Sequence, residues 1–191
     1  VWPRPVQQPY PPVVVATRSD DTIRYAAENR LSLGVSFVPV DQMAALTDKY
    51  RGWCDEAGWT PGPDNIVYRG SIYVGETDKQ ANDWFDSLMQ SKPEPNIPLR
   101  RTVAEAIQSA RTGEEFDLRN LVAGSPEGDV VGNSLGINFL GGPDTVAKQI
   151  KEFHDQCGVG VVDLLFQQTM VDHRGVMKEI ELFGKGVLPQ I

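Results

Sequence analysis

Val13-Val14-Val15-Ala16-Thr17-Arg18-Ser19-Asp20-Asp21-Thr22 is the stretch that decides the fold. Residues 13–16 are an unbroken run dominated by β-branched side chains, which suits a strand buried on both faces, as in a parallel sheet. Pro11 and Pro12 punctuate its start. Three residues after the run, Ser19 or Asp20 is placed to cap a helix whose apolar stripe is Ile23, Ala26 and Ala27 and whose end falls near Asn29. A buried strand passing at once into an amphipathic helix is one unit of a β/α repeat.

The same unit recurs outward from this point. A strand over 31–37, with Gly34 inside it, leads to Asp41 as N-cap and to a helix over 42–57. Met43, Leu46, Tyr50 and Trp53 are spaced there on one face, and Gly58 stops the helix. A third strand over 66–75 is followed by Thr77-Asp78, which caps a helix running through Ala81, Trp84 and Leu88. From about residue 91 to 138 the pattern loosens around Pro93, Pro95, Pro98 and Pro126, with a short helix over 102–110. A stretch of that length is a functional lid or a mobile segment. Order returns at Ile137. Gly141-Gly142-Pro143-Asp144-Thr145 makes a turn into a helix with Val146, Ile150 and Phe153 facing inward, halted by Gly158 and Gly160. A fourth strand, 161–166, precedes a last helix from about Arg174 through Ile180, Leu182 and Phe183 to near Pro189.

Strands alternating with helices predict an α/β fold with a parallel sheet and right-handed crossovers. Two architectures remain, a doubly wound open sheet and part of a barrel, since four strands cannot close a conventional eight-stranded barrel. No Gly-x-Gly-x-x-Gly fingerprint follows the first strand, and no Gly-rich loop ends in Gly-Lys-Ser or Gly-Lys-Thr, which counts against both common nucleotide-binding loops.

Composition narrows the function. The 191 residues carry a net charge of −8, so a polyanionic nucleic acid is not the expected partner. Hydrophobic residues make up 40% and charged residues 23%, a globular balance. No apolar run approaches the roughly 18 residues of a membrane span. The five prolines within the first twelve residues are unlike a signal peptide and read as a connector from a preceding segment. Cys54 and Cys157 lack the close spacing of a metal or redox pair and suit small buried thiols. With neither a disulfide framework nor an export signal, the cytoplasm is the expected compartment.

The turn at residues 17–22 has chemistry of its own. Amides at a strand-to-helix turn point along the helix dipole and favour an anion. Ser19 and Thr22 add hydroxyls, and Arg18 adds a guanidinium able to fork a phosphate. The alternative is that Ser19 only caps the helix and Arg18 is solvated. His173 either lines a pocket wall with Gln167, Gln168 and Asp172, or belongs to a capping loop. His154, among Lys151, Glu152 and Asp155, reads as solvated. Glu76-Thr77-Asp78 follows the third strand on the same side, where an N-cap explains it. Trp53, Trp59 and Trp84 read as packing residues.

Three segments taken in order carry a resemblance: Arg4-Pro5-Val6-Gln7-Gln8-Pro9-Tyr10-Pro11-Pro12 leading to Thr17-Arg18-Ser19-Asp20-Asp21-Thr22; Gly141-Gly142-Pro143-Asp144-Thr145-Val146-Ala147 leading to Asp163-Leu164-Leu165; and Glu181-Leu182-Phe183-Gly184 closing with Val187-Leu188-Pro189. Together they resemble the C-terminal half of the luciferase-like flavin-dependent monooxygenases. The resemblance implies strands five to eight of a (β/α)8 TIM barrel, with residues 1–191 as one partial-barrel domain carrying an irregular insertion at about 91–138. It implies reduced FMN as cofactor (F420 in some members), oxygen and a small organic substrate, and a flavin reductase as possible partner. Ser19 and Thr22 match hydroxyl positions that hold the flavin phosphate, with Arg18 beside them; the catalytic side chains would lie mainly in the absent first half. A missing N-terminal half or a second copy would close the barrel. The rival expectation is a non-catalytic half-barrel that only binds.

Overall fold

A computed structural model of the chain describes residues 4–8, 10–90, 137–166 and 172–191. The chain divides into two compact units, residues 1–81 with 136–191, and residues 82–135. Of the second unit only residues 82–90 are described, so the irregular stretch expected from about 91 to 138 lies almost wholly outside the described residues.

The β-branched run forms β1 (Val14–Ala16), followed by α1 (Asp20–Glu28), β2 (Ser32–Ser36) and α2 (Val40–Glu56). A 3-10 turn (Pro63–Asn65) leads into β3 (Ile66–Val74) and α3 (Asp78–Gln90). After the undescribed stretch come β4 (Ile137–Gly141), α4 (Pro143–Cys157), β5 (Val161–Phe166) and α5 (His173–Leu182). A π-helical turn (Phe183–Val187) and a 3-10 turn (Leu188–Gln190) follow.

All strand pairs are parallel, as the alternation predicts. β1 pairs β2 and β2 pairs β3. Residues 67–69 of β3 pair both β2 and β5, whereas Ser71 and Ile72 pair both β4 and β5. A strand has two edges, so β2 and β4 succeed one another along one edge of β3 while β5 takes the other. The strand at Ile137–Gly141 is one that the sequence pattern marks only as a return of order.

The period-2 alternation of strands sorts their side chains between two faces. Leu33 and Val35 of β2 and Ile66, Tyr68, Ile72 and Val74 of β3 join one buried cluster with Ile23, Ala26 and Ala27 of α1, Met43, Leu46 and Tyr50 of α2, and Val146, Ile150 and Phe153 of α4. Phe153 anchors it, 4.5 Å ring to ring from Tyr68 and 5.7 Å from Phe139. Each buried valine, leucine, isoleucine, methionine or phenylalanine among them contributes about 1.5–3 kcal/mol. The other face is sparsely covered at its two ends: Val14 is 47% exposed, Val161 40% and Leu165 44%. Arg69 of β3 and Asp163 of β5, which are register partners, form an ion pair there, with Arg69 Nε donating to Asp163 Oδ2 at 2.7 Å.

Local signals hold in most places. Cys54 and Cys157 are buried free thiols, which burial pushes up to about 11. α1 ends in a Schellman arrangement: Leu31 N–H donates to Ala26 O at 2.9 Å, Arg30 N–H to Ala27 O at 3.2 Å, and Arg30 takes φ 56°. Two expected caps differ. α2 begins at Val40 with Pro39 as N-cap, so Asp41 sits inside the first turn and stabilises it as a charge on the dipole. Ser19 occupies the N-cap position of α1, but its side chain makes no capping bond. The last helix leaves α-geometry at Phe183.

Candidate functional site

Parallel pairing puts the C-terminal ends of all the strands on one rim, where α/β proteins bind their ligands. At the end of β1, Thr17 N–H still pairs with Gly34 O at 3.0 Å, and the chain then turns into α1. The Ser19 hydroxyl faces its neighbours rather than the helix amides. Ser19 Oγ donates to Thr22 Oγ1 at 2.9 Å, lies 3.3 Å from Thr17 Oγ1, and the Ser19 amide donates to that same Thr17 oxygen at 3.1 Å. Three hydroxyls thus form one chain at the N-terminal end of α1. Arg18 beside them is exposed and has no ion pair among the described residues. Asp20, which would repel an anion there, is held by Lys49 at 2.8 Å. Hydroxyl donors, a free guanidinium and a helix N-terminus fit a phosphate. Thr17 is not among the site residues expected from the sequence, although a threonine two residues before a serine N-cap is the signal that finds it.

At the end of β2, Phe37 takes φ 54° and is 38% exposed. A bulky side chain in the left-handed region is strained, and such strain gathers at functional rims.

Two glycine- and acid-rich motifs that are remote in sequence meet at the ends of β3 and β4. Thr77 Oγ1 accepts the Gln80 amide at 3.2 Å and Gln80 Oε1 accepts the Glu76 amide at 2.7 Å, so Thr77 is the cap of α3. Asp78 reaches across to α4, accepting the Gly142 amide at 2.7 Å and the Thr145 hydroxyl at 2.8 Å. Those two donors hold its carboxyl below the ordinary aspartate value. A Cβ on Gly141 would stand 2.8 Å from Thr145 Cγ2, so only glycine fits this approach. Asp78 is therefore consumed by the joint and is not free for a ligand.

On α5, Asp172 is the N-cap, accepting the Gly175 amide at 2.8 Å, and His173 is the exposed first residue of the helix. The capping alternative therefore holds for this segment; Gln167 and Gln168 lie outside the described residues. His154 is exposed, and its Nδ1 lies 2.7 Å from Val159 O at the end of α4, a structural contact. Trp59 donates to Ala27 O at 2.7 Å and stands edge-on to Tyr50, Trp53 packs against the core beneath Arg24, and Trp84 lies on α3. Among the described residues no group of three or more His, Cys, Asp or Glu is arranged to hold a metal ion, and no helix is long and apolar enough to cross a membrane.

One residue escaped the sequence reading altogether. Glu179 of α5 is buried, neither of its carboxylate oxygens has a hydrogen-bond partner among the described residues, and burial pushes it up to about 7. Its signal is positional: Val176, Glu179, Leu182 and Phe183 follow helical spacing, so a glutamate stands on the apolar stripe.

Set against known proteins, this geometry has a family. The luciferase-like monooxygenase family model matches residues 1–159, and the chain belongs to that family. Solved structures agree in fold. A monooxygenase from Streptomyces bottropensis matches with a TM-score of 0.65 at 19% identity, over 98% of this chain and 50% of its own. The oxygenating constituent of 3,6-diketocamphane monooxygenase from Pseudomonas putida, a type II Baeyer–Villiger enzyme in complex with FMN, matches with 0.62 at 22% identity, over 95% and 49%. The F420-dependent tetrahydromethanopterin reductase from Methanopyrus kandleri matches with 0.53 at 18% identity, over 93% and 50%. The chain thus spans about half the length of the structures it matches. No curated protein matches it by sequence.

Proposed function

We propose that the chain is the phosphate-holding, C-terminal half of a flavin-dependent monooxygenase, with β1, β2, β3 and β5 as strands five to eight of a (β/α)8 barrel. The observation that carries the reading is the Thr17–Ser19–Thr22 hydroxyl chain at the N-terminal end of α1, with Arg18 exposed beside it on the strand C-terminal rim. The half-barrel is supported by the one-sided packing of α1, α2 and α4, and by the half-length match. The apolar side chains left open on the opposite face add to this.

Reduced flavin supplies the redox chemistry when bound, with oxygen and a small organic substrate as the other reactants. The residues of this chain bind and orient. The Ser19 hydroxyl, turned away from Thr22, the Thr22 hydroxyl and first-turn amides would donate to phosphate oxygens, Arg18 would neutralise their charge, and Lys49 keeps Asp20 from opposing it. FMN is preferred because the structure of the diketocamphane enzyme is a complex with FMN; F420 presents the same kind of phosphate and remains the second reading. The catalytic side chains belong to the complementary half.

Titrating the chain into FMN while following flavin fluorescence tests the site. Saturable binding is expected, weakened about tenfold or more in a Ser19→Ala/Thr22→Ala variant, since hydrogen bonds to a charged group are worth about 1.5–3 kcal/mol. Equal affinity of variant and wild type, in the chain or in the completed barrel, would remove the phosphate assignment.

A further inference from the structure

Glu179 is the buried ionisable group that the proposed function leaves unused. Its side chain is 3% exposed and both oxygens lack partners among the described residues. The helix that carries it and the two turns that follow it lie on the rim. Lys178 pairs with Glu76 just beyond β3. Phe183 stands edge-on to Phe166, the last residue of β5, at 5.8 Å. A Cβ on Gly186 would come 2.7 Å from Pro143, and Gln190 donates to Asp144 at 2.8 Å, both at the start of α4. All of these contacts fall where strands end or where the next helix begins.

Among the described residues no ion pair or hydrogen bond reaches the Glu179 carboxyl. From β3 it meets Tyr73, whose hydroxyl is raised by burial and by this carboxyl. Arg69 of β3 is taken by Asp163 of β5, Lys178 by Glu76, and Lys185 of the π-turn by Glu181. A carboxylate ionised in such a place is strongly disfavoured. The Lys178–Glu76 pair has both side chains more than half exposed, too open to hold the helix by itself.

We infer that Glu179 makes the C-terminal helix a pH-sensitive cover on the strand C-terminal rim: α5 docks with the carboxyl protonated and lifts away when its proton leaves to solvent. The sign follows from linkage. Undocked, the group titrates near the ordinary glutamate value of about 4.3. Docked, burial holds the proton until about 7. Docking is therefore strongest below the lower value and is lost as pH rises through the higher one.

Amide hydrogen exchange of the full chain at about pH 5.5 and about pH 8 reads the device, each helix being corrected for intrinsic base catalysis. Relative to α4, α5 is expected to exchange about tenfold faster or more at the higher pH, reversibly, since one unit of pKa difference is a factor of ten. Glu179→Gln, which is neutral at both, should keep α5 equally protected. Wild-type protection that ignores pH, or the same loss in the glutamine variant, would overturn the inference. Should that variant not fold, infrared spectroscopy of the wild type decides. A protonated carboxyl band present at about pH 6 and gone at about pH 8 is expected, and its absence refutes the cover. Neither readout involves flavin, so the outcome stands apart from the proposed function.

Discussion

At the scale of single residues, the backbone rather than the side chain sets what Arg30 does. It occupies the left-handed position that closes α1, is exposed, and is a residue type that gains nothing from φ 56°. Glycine removes the Cβ penalty of roughly 1–2 kcal/mol and gives back part of it as chain entropy. Arg30→Gly is expected to stabilise the chain by about 0.5–1 kcal/mol, read as a raised urea midpoint with an unchanged slope. The residues of the proposed phosphate site are legible for a related reason. Hydroxyl, guanidinium and helix start are all local in sequence, so Arg18, Ser19 and Thr22 stand together in the text as in space. What the text does not contain is the direction of the Ser19 hydroxyl, which turns to Thr22 instead of capping.

At the scale of elements, the joint between α3 and α4 is the instructive case. Thr77-Asp78 and the Gly141-Gly142-Pro143-Asp144-Thr145 turn each read as an independent helix start, and each is one. Their union through Asp78 is invisible to any local pattern, because it depends on β3 and β4 lying side by side. Asp78→Ala is expected to cost about 1–2 kcal/mol, kept at that level by its exposure. The pH dependence has a definite sign. The folded carboxyl sits below its ordinary value, so its contribution is complete above about 3.9 and is lost as pH falls through the lower folded value. Denaturation midpoints of wild type and variant should accordingly converge in strong acid and separate above it.

At the scale of the whole molecule, the question is what the second face of the sheet is for. Val14, Val161 and Leu165 leave its two ends open, while Arg69 and Asp163 already neutralise each other, a surface prepared for cover rather than for water. Replacing Val14 and Leu165 by Asp should change the stability of this chain by only about 0.5 kcal/mol, as for open surface sites. It should abolish the proposed assembly with a complementary half, measured by light scattering of the mixed halves. Assembly unaffected by both charges would mean that the face is not the seam.

The sequence alone determined the β/α alternation, the parallel sheet and most of the helix limits, and it places Arg18, Ser19 and Thr22 together at one helix start. Those follow from hydrophobic period, capping chemistry and turn residues, which act over a few neighbours. Only the tertiary structure decided that β4 succeeds β2 along one edge of β3, that Asp78 spans two helix starts, and that a glutamate on the last helix is buried with no partner among the described residues. Edge sharing and burial are set by packing between segments far apart in the chain, and a partnerless carboxyl becomes visible only once everything around it has a place.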